Sequence, residues 1–313
     1  MTHTLFSIIA GAAILSGMAA PAIGLAQDAS GRLIVADTVT RILPYAFAGR
    51  DDIRRVEFTD ESKCTEIGEY AFLGCRNLSE IILPASLETL GEGCLQECES
   101  LKSLSVPQKV KALPKEMLKW CGALESVELP RTLADIGARA FIYCTSLRSV
   151  TANGAAPRDI EGAYIPQGVE HIGSNAFGHC AALERVVIPA SVTELESYAF
   201  AECTSLREAW LPANDCLLGE LMFSGCRSLT DLYESSPAVP RFDCDSYIFE
   251  PDETALYARC RLHVPAPSRP AYTCAPGWKL FPIIIPMSAV PCNGIGCHHL
   301  LHYTPPKTAI PCV

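Results

Sequence analysis

The sequence predicts a mainly β or α/β-type repeat solenoid, a single body built from turns of 23 residues with short parallel strands. Three observations lead there. Seven of the 16 cysteines fall at positions 75, 98, 121, 144, 180, 203 and 226, with spacings of 23, 23, 23, 36, 23 and 23. An aromatic residue or Leu stands three residues before each of them and a Leu three residues after, from Phe72 and Leu78 through to Phe223 and Leu229. The segment after the Cys reads L-x-x-V-x-L-P, as in residues 101–107, 124–130, 183–189 and 206–212. Phe47 and Ile53 carry the pattern one turn further towards the N-terminus, with Arg50 in the place of the Cys, so eight turns share the signature.

The elements follow in order. Leu5 to Ala20 is an apolar run without charge, followed by Pro21 and the small-residue stretch Gly24-Leu25-Ala26 before Gln27-Asp28. It is expected to be a cleaved export signal, residues 1–26, leaving a secreted or surface-bound chain with no later membrane span. Residues 27–285 form the solenoid. Within each turn, apolar positions 1, 4 and 6 of the frame suit a strand whose inward side chains stack turn upon turn, and Pro ends it because Pro cannot extend the ladder. The return segments, such as 132–144 and 191–203, bring Ile or Leu and then Ala-Phe into the core from the other side. The 36-residue spacing holds 13 extra residues (36 − 23). Residues 160–166 repeat the strand frame, so the insertion reads either as a shortened extra turn or as a loop; being too few for a turn of ~20 residues, the extra residues are expected to form a loop around Asn153-Gly154 that rejoins the frame at Ile165-Pro166. Residues 235–285 read as a closing turn, with Trp278 covering the open end of the core, and 286–313 as a tail rich in Pro, Cys and His.

The pairing of I-G-x-x-A-F-x-x-C in the return segment with L-x-x-V-x-L-P in the strand resembles the BspA-like leucine-rich repeat family of bacterial surface proteins, over about Thr38 to Ile285. The resemblance implies a right-handed leucine-rich repeat horseshoe, export, a cell-surface location and, for some members, adhesion. The closing segment, Leu262 to Pro265 and then Tyr272 and Gly277 to Phe281, also resembles the family's terminal turn.

Composition narrows the function. A net charge of −10 argues against binding nucleic acid through phosphates, and 49% hydrophobic residues argue against disorder. No phosphate loop, dinucleotide fingerprint or H-E-x-x-H occurs, and His171 and His179 lack a third partner for nucleophilic chemistry, so both read as surface or turn residues. No enzyme activity and no cofactor are expected. The seven in-phase cysteines, Cys75, Cys98, Cys121, Cys144, Cys180, Cys203 and Cys226, are expected to form a buried column of free thiols. Neighbours ~4.8 Å apart with parallel side chains are poorly placed for the ~3.8 Å Cβ separation of a disulfide. Any disulfides are expected to come from the other nine, in a pairing that spacing does not fix, and within the tail a Cys292–Cys297 bond competes with metal binding by His298, His299 and His302; no metal site is expected.

A ligand is expected on the variable strand positions. One outward column reads Ile82, Ser105, Glu128, Thr151, Val187, Trp210, Tyr233, and its last three members form an apolar stripe with Arg185 and Glu208 beside it. This is the candidate site for a protein or glycan ligand, on the host surface or extracellular matrix. A purely structural role in the cell envelope is the alternative. A second column, including Lys102, Glu125 and Arg148, alternates in charge and is expected to pair across turns.

Overall fold

Alternation of inward apolar and outward polar side chains has the period of a strand, and the stacking of one such strand per turn buries each turn against its neighbours. The computed structural model describes residues 25–152, 162–236, 238–242, 247–250 and 253–287, and shows a parallel-strand solenoid with little helix. The tail ligands from Cys292 onwards and the Asn153-Gly154 segment lie outside the described residues.

On the strand face, Arg32–Val35, Arg55–Phe58 and Glu80–Ile82 pair in parallel, and Leu25–Gln27 adds an antiparallel edge. The sheet that follows has nine strands, among them Ser103–Ser105, Ser126–Leu129, Ser149–Ala152, Arg185–Val187, Glu208–Trp210 and Asp231–Tyr233, and it ends with Arg261–Pro265 and Ile284–Met287. The return face carries two-residue strands in the same order, from Arg41–Ile42 to Leu217–Leu218. Leu25 and Ala26 pair with Val35 and Ile34, so the first strand reaches two residues into the segment assigned to the export signal; the last strand runs past 285 to Met287.

The frame positions do what their polarity dictates. Leu101, Leu104 and Val106 are buried in one turn, Leu124, Val127 and Leu129 in the next. Such a side chain is worth about 1.5–3 kcal/mol over leaving it in water, a gain available only when the next turn covers it. The return-segment phenylalanines stack in the core, Phe141 on Phe177 at 4.9 Å and Phe177 on Phe200 at 5.1 Å between ring centroids.

The seven cysteines of the column are buried and free. Each Sγ donates to a carbonyl one turn back: Cys75 to Phe47, Cys98 to Phe72, Cys121 to Leu95, Cys144 to Leu118, Cys180 to Phe141, Cys203 to Phe177 and Cys226 to Phe200, at 3.1–3.4 Å. Burial pushes the Cys121 thiol up to about 12, which removes the thiolate and with it the reactivity. Of the other cysteines, Cys64, Cys94, Cys216 and Cys260 are buried and free, and Cys274 is in a disulfide.

Two corners of each turn place a residue in the left-handed region, at Glu97 and Trp120 in one column and Glu116 and Arg139 in another. This conformation costs a non-Gly residue of the order of 1–2 kcal/mol, and here it is over-determined by bonds between turns, such as Trp120 N–H to Ile142 O at 3.0 Å.

The insertion corrects the sequence expectation of a loop. Gly162–Tyr164 is a strand, inserted between Ser149–Ala152 and Arg185–Val187, with Ala163 opposite both Val150 and Val186. On the return face Asp135–Ile136 pairs directly with His171–Ile172, so the added rung belongs to the strand face alone. An extra strand needs only a few residues when it has no return segment of its own, and that is why 13 residues suffice. Gly162 makes the junction possible: its φ is +148°, and a Cβ there would lie 3.1 Å from the Cβ and carbonyl oxygen of Arg185.

At the C-terminal end the helices Thr254–Arg259 and Arg269–Tyr272 replace return segments. Trp278 is fully buried, donates its indole N–H to Pro240 O at 3.2 Å, and packs edge-on against Tyr272.

Candidate functional site

Parallel pairing puts equivalent residues of successive turns side by side, so an outward column is a continuous surface whose chemistry is set one residue per turn. At its C-terminal end this surface becomes aromatic. Val187 faces Trp210, Trp210 faces Tyr233, and Tyr233 faces His263. The Trp210 and Tyr233 rings stack at 3.8 Å with planes 4° apart, and Tyr233 and His263 at 4.3 Å and 16°. Trp210 and Tyr233 are half-buried.

Val187 departs from expectation. It is 4% exposed, because the added strand sets Tyr164 on one side of it while Trp210 stands on the other. The stripe at the surface is therefore Trp210, Tyr233 and His263, with Val187 as its covered base.

Beside the rings runs a column of charge. Arg185 donates to Glu208 from Nε at 2.9 Å and from Nη2 at 2.8 Å, across adjacent strands. A hydrogen bond with Tyr164 and the attraction of Glu208 push the Arg185 pKa up. One strand further, the Asp231 carboxylate accepts from Arg261, from His263 Nε2 at 2.7 Å and from the Thr230 hydroxyl at 3.0 Å. Burial alone would raise its pKa, but these donors pull it below the usual carboxylate value. Asp231 thus fixes the His263 ring against Tyr233.

The charged column expected at Lys102, Glu125 and Arg148 is adjacent through its backbone, with Glu125 N–H to Lys102 O at 2.8 Å and Arg148 N–H to Glu125 O at 2.9 Å. Among the described residues its side chains form no ion pair; pairs across the strand face lie one position further along, at Arg55–Glu80, Arg185–Glu208 and Asp231–Arg261, and Arg32 of that same position reaches diagonally to Glu57, which lies in the column of Ile82.

Sequence reading did not find His263, Asp231, Arg261 or Tyr164. His263 and Arg261 follow an irregular connection that breaks the 23-residue frame, Asp231 is in frame beside Tyr233 but gains its role only from those two, and Tyr164 sits in the insertion. It also missed a second aromatic stack, Trp120 on Tyr143 at 3.9 Å and Tyr143 on His179 at 4.3 Å, with Trp120 46% exposed. These residues immediately precede the cysteines of the column, and that position, read down the turns, would have revealed them.

A family model for the BspA type leucine rich repeat region matches residues 40–158 and 155–238, in six copies. Among solved structures, the chain is similar to a leucine-rich repeat protein of T. pallidum at 23% identity, over 66% of this chain and 86% of that one, with a TM-score of 0.46. It is similar to a leucine rich cell surface protein of Faecalibacterium prausnitzii at 22% identity over 82% and 79%, with a TM-score of 0.36. With the pneumococcal vaccine antigen PcpA it shares 20% identity over 83% and 80%, with a TM-score of 0.42. No curated protein matches the chain significantly.

Proposed function

The chain belongs to the BspA-type leucine-rich repeat family, and from that premise we propose that it is an exported surface protein that binds a protein ligand through the C-terminal half of its strand face, as an adhesin does, and that it catalyses no reaction. The observation carrying this reading is the half-buried ladder Trp210–Tyr233–His263 beside the fixed charges of Arg185, Glu208, Asp231 and Arg261. Trp, Tyr and Arg are the residues in which binding energy concentrates, and a ring held by its neighbours loses little entropy on docking. A protein fits better than a glycan. A sugar stacks on a ring face, but Tyr233 has Trp210 on one face at 3.8 Å and His263 on the other at 4.3 Å, leaving its edge and hydroxyl for a partner. Export rests on the uncharged apolar run Leu5–Ala20. A structural role in the cell envelope, without a dedicated ligand, predicts no dependence of binding on these rings.

The test is capture by the immobilised chain without residues 1–24 from extracellular-matrix extract, in parallel with binding to cell-envelope glycans. A protein retained by the wild type and lost by Trp210→Ala/Tyr233→Ala supports the reading. Retention of a glycan instead, with the same dependence, replaces the ligand class. Equal retention by wild type and variant refutes the site.

A further inference from the structure

On the return face, the outward residues of three adjacent strands are Asp135, His171 and Glu194, in register. The His171 ring is held at both nitrogens, Nδ1 3.2 Å from Asp135 Oδ2 and Nε2 2.9 Å from Glu196 Oε1. The other oxygen of Glu196 accepts the Ser174 N–H at 2.7 Å. One donor atom each from His171, Glu194 and Glu196 lies within 4.8 Å of the others.

Glu196 stands where other turns carry Gly68, Gly91, Gly137, Gly173 and Gly219, and one carries Pro114. In the turns on either side, stacking closes that position to side chains: a Cβ on Gly173 would come within 2.5 Å of Ala138 N, and one on Gly219 within 2.3 Å of Ser197 N. Packing therefore does not call for a carboxylate there, and the one present is aimed at the imidazole. Beside it opens a cavity of about 240 Å³ lined by Glu194, Glu196, Ser174, Ser197 and Leu217 among others.

We propose that His171, Glu194 and Glu196 bind a divalent transition-metal ion, with zinc as the ion of choice for one imidazole and two carboxylates. Asp135 accepts the Nδ1 proton and so turns the Nε2 lone pair towards the ion, the arrangement in which a carboxylate orients a metal-bound histidine. Zinc bonds of about 2.0–2.2 Å place tetrahedral donors about 3.4 Å apart, so Glu196, now 2.9 Å from Nε2, draws back slightly, and the three donor atoms, all within 4.8 Å, adjust to that spacing. Any proton on Nε2 leaves to solvent as the ion binds. The fourth position faces the cavity and takes water or a donor from a partner. The inference is independent of the ligand surface on the strand face.

The test is zinc binding by equilibrium dialysis on the full chain and on His171→Ala and Glu196→Gly, with melting curves with and without zinc. Glu196→Gly restores the residue of the neighbouring turns and is expected to fold as well as the wild type. The site predicts one zinc equivalent fewer in each variant, a zinc-induced rise in melting temperature seen only in the wild type, and binding at least tenfold weaker in Asp135→Asn. Cobalt in place of zinc should give a wild-type-minus-variant spectrum without a sulfur-to-metal charge-transfer band. Equal zinc stoichiometry in wild type and both variants overturns the proposal, as does a sulfur band that disappears with His171 or Glu196.

Discussion

Glu234 is a carboxyl group in the core, and its replacement by Gln should make the solenoid's C-terminal end less sensitive to alkaline pH. It occupies the frame position filled by Val106, Leu129, Ile188 and Leu211 in other turns, and it is fully buried. Oε1 accepts the Ser236 N–H at 2.6 Å, while Oε2 has no partner among the described residues. Burial pushes its pKa from 4.5 up to about 8, against the Ser236 bond that lowers it. The folded chain therefore holds a proton that the unfolded chain releases. Stability from this group is complete below pH 4.5 and is lost as pH rises to about 8. At about 1.4 kcal/mol per pH unit, the loss is roughly 3 kcal/mol at pH 7 and on the order of 5 above pH 8. The ionisable neighbours Cys216 and Tyr272 are pushed up by burial, the thiol to about 12, and stay neutral in this window. Gln keeps the acceptor for Ser236 and removes the titration. Urea unfolding followed by tryptophan fluorescence, which reads Trp210 and Trp278 near this end, should show wild type and Glu234→Gln within about 1 kcal/mol of each other at pH 5. At pH 8.5 the variant should be more stable by several kcal/mol. Parallel pH profiles from 5 to 9 would refute the burial argument.

Other perturbations are equally specific. Under native conditions the seven column cysteines should resist alkylation at pH 8, and after denaturation without reductant all seven should react; two of them found joined would contradict the geometry. Cys121→Ala should cost about 1–2 kcal/mol and Cys121→Ser more, because a buried hydroxyl needs a hydrogen bond that the thiol can largely do without, measured by chemical denaturation; the opposite order would show that Leu95 O, the thiol's partner, satisfies the hydroxyl. Gly162→Ala should cost about 1–2 kcal/mol through its positive φ and its contact with Arg185, and a neutral melting curve would place the added strand elsewhere.

The turns were legible because one residue type in one phase reports the whole lattice: once Cys75 to Cys226 set the 23-residue spacing, Leu101, Leu104, Val106 and their equivalents could be placed in the core. Legibility failed where the lattice is broken. Residues 162–164 pair as a strand without a return segment, so a length argument based on whole turns assigned them to a loop, and Val187 was consequently left without its neighbour Tyr164. His263 joins the ring ladder across a connection of helix and irregular chain that has no fixed phase. Glu196 was readable as a departure from Gly, yet its meeting with His171 depends on which outward atoms face one another across the turns, and spacing alone does not encode that.

The central claim, that the strand face binds through its aromatic ladder, is tested most directly by the affinity of Trp210→Ala/Tyr233→Ala for the captured partner, measured alongside its melting temperature. A docking surface predicts binding weakened by about 2 kcal/mol or more, roughly 30-fold, with melting nearly unchanged. Unchanged affinity of the folded variant, or a loss of binding that only follows a lowered melting temperature, would contradict it and turn attention to Trp120 and Tyr143.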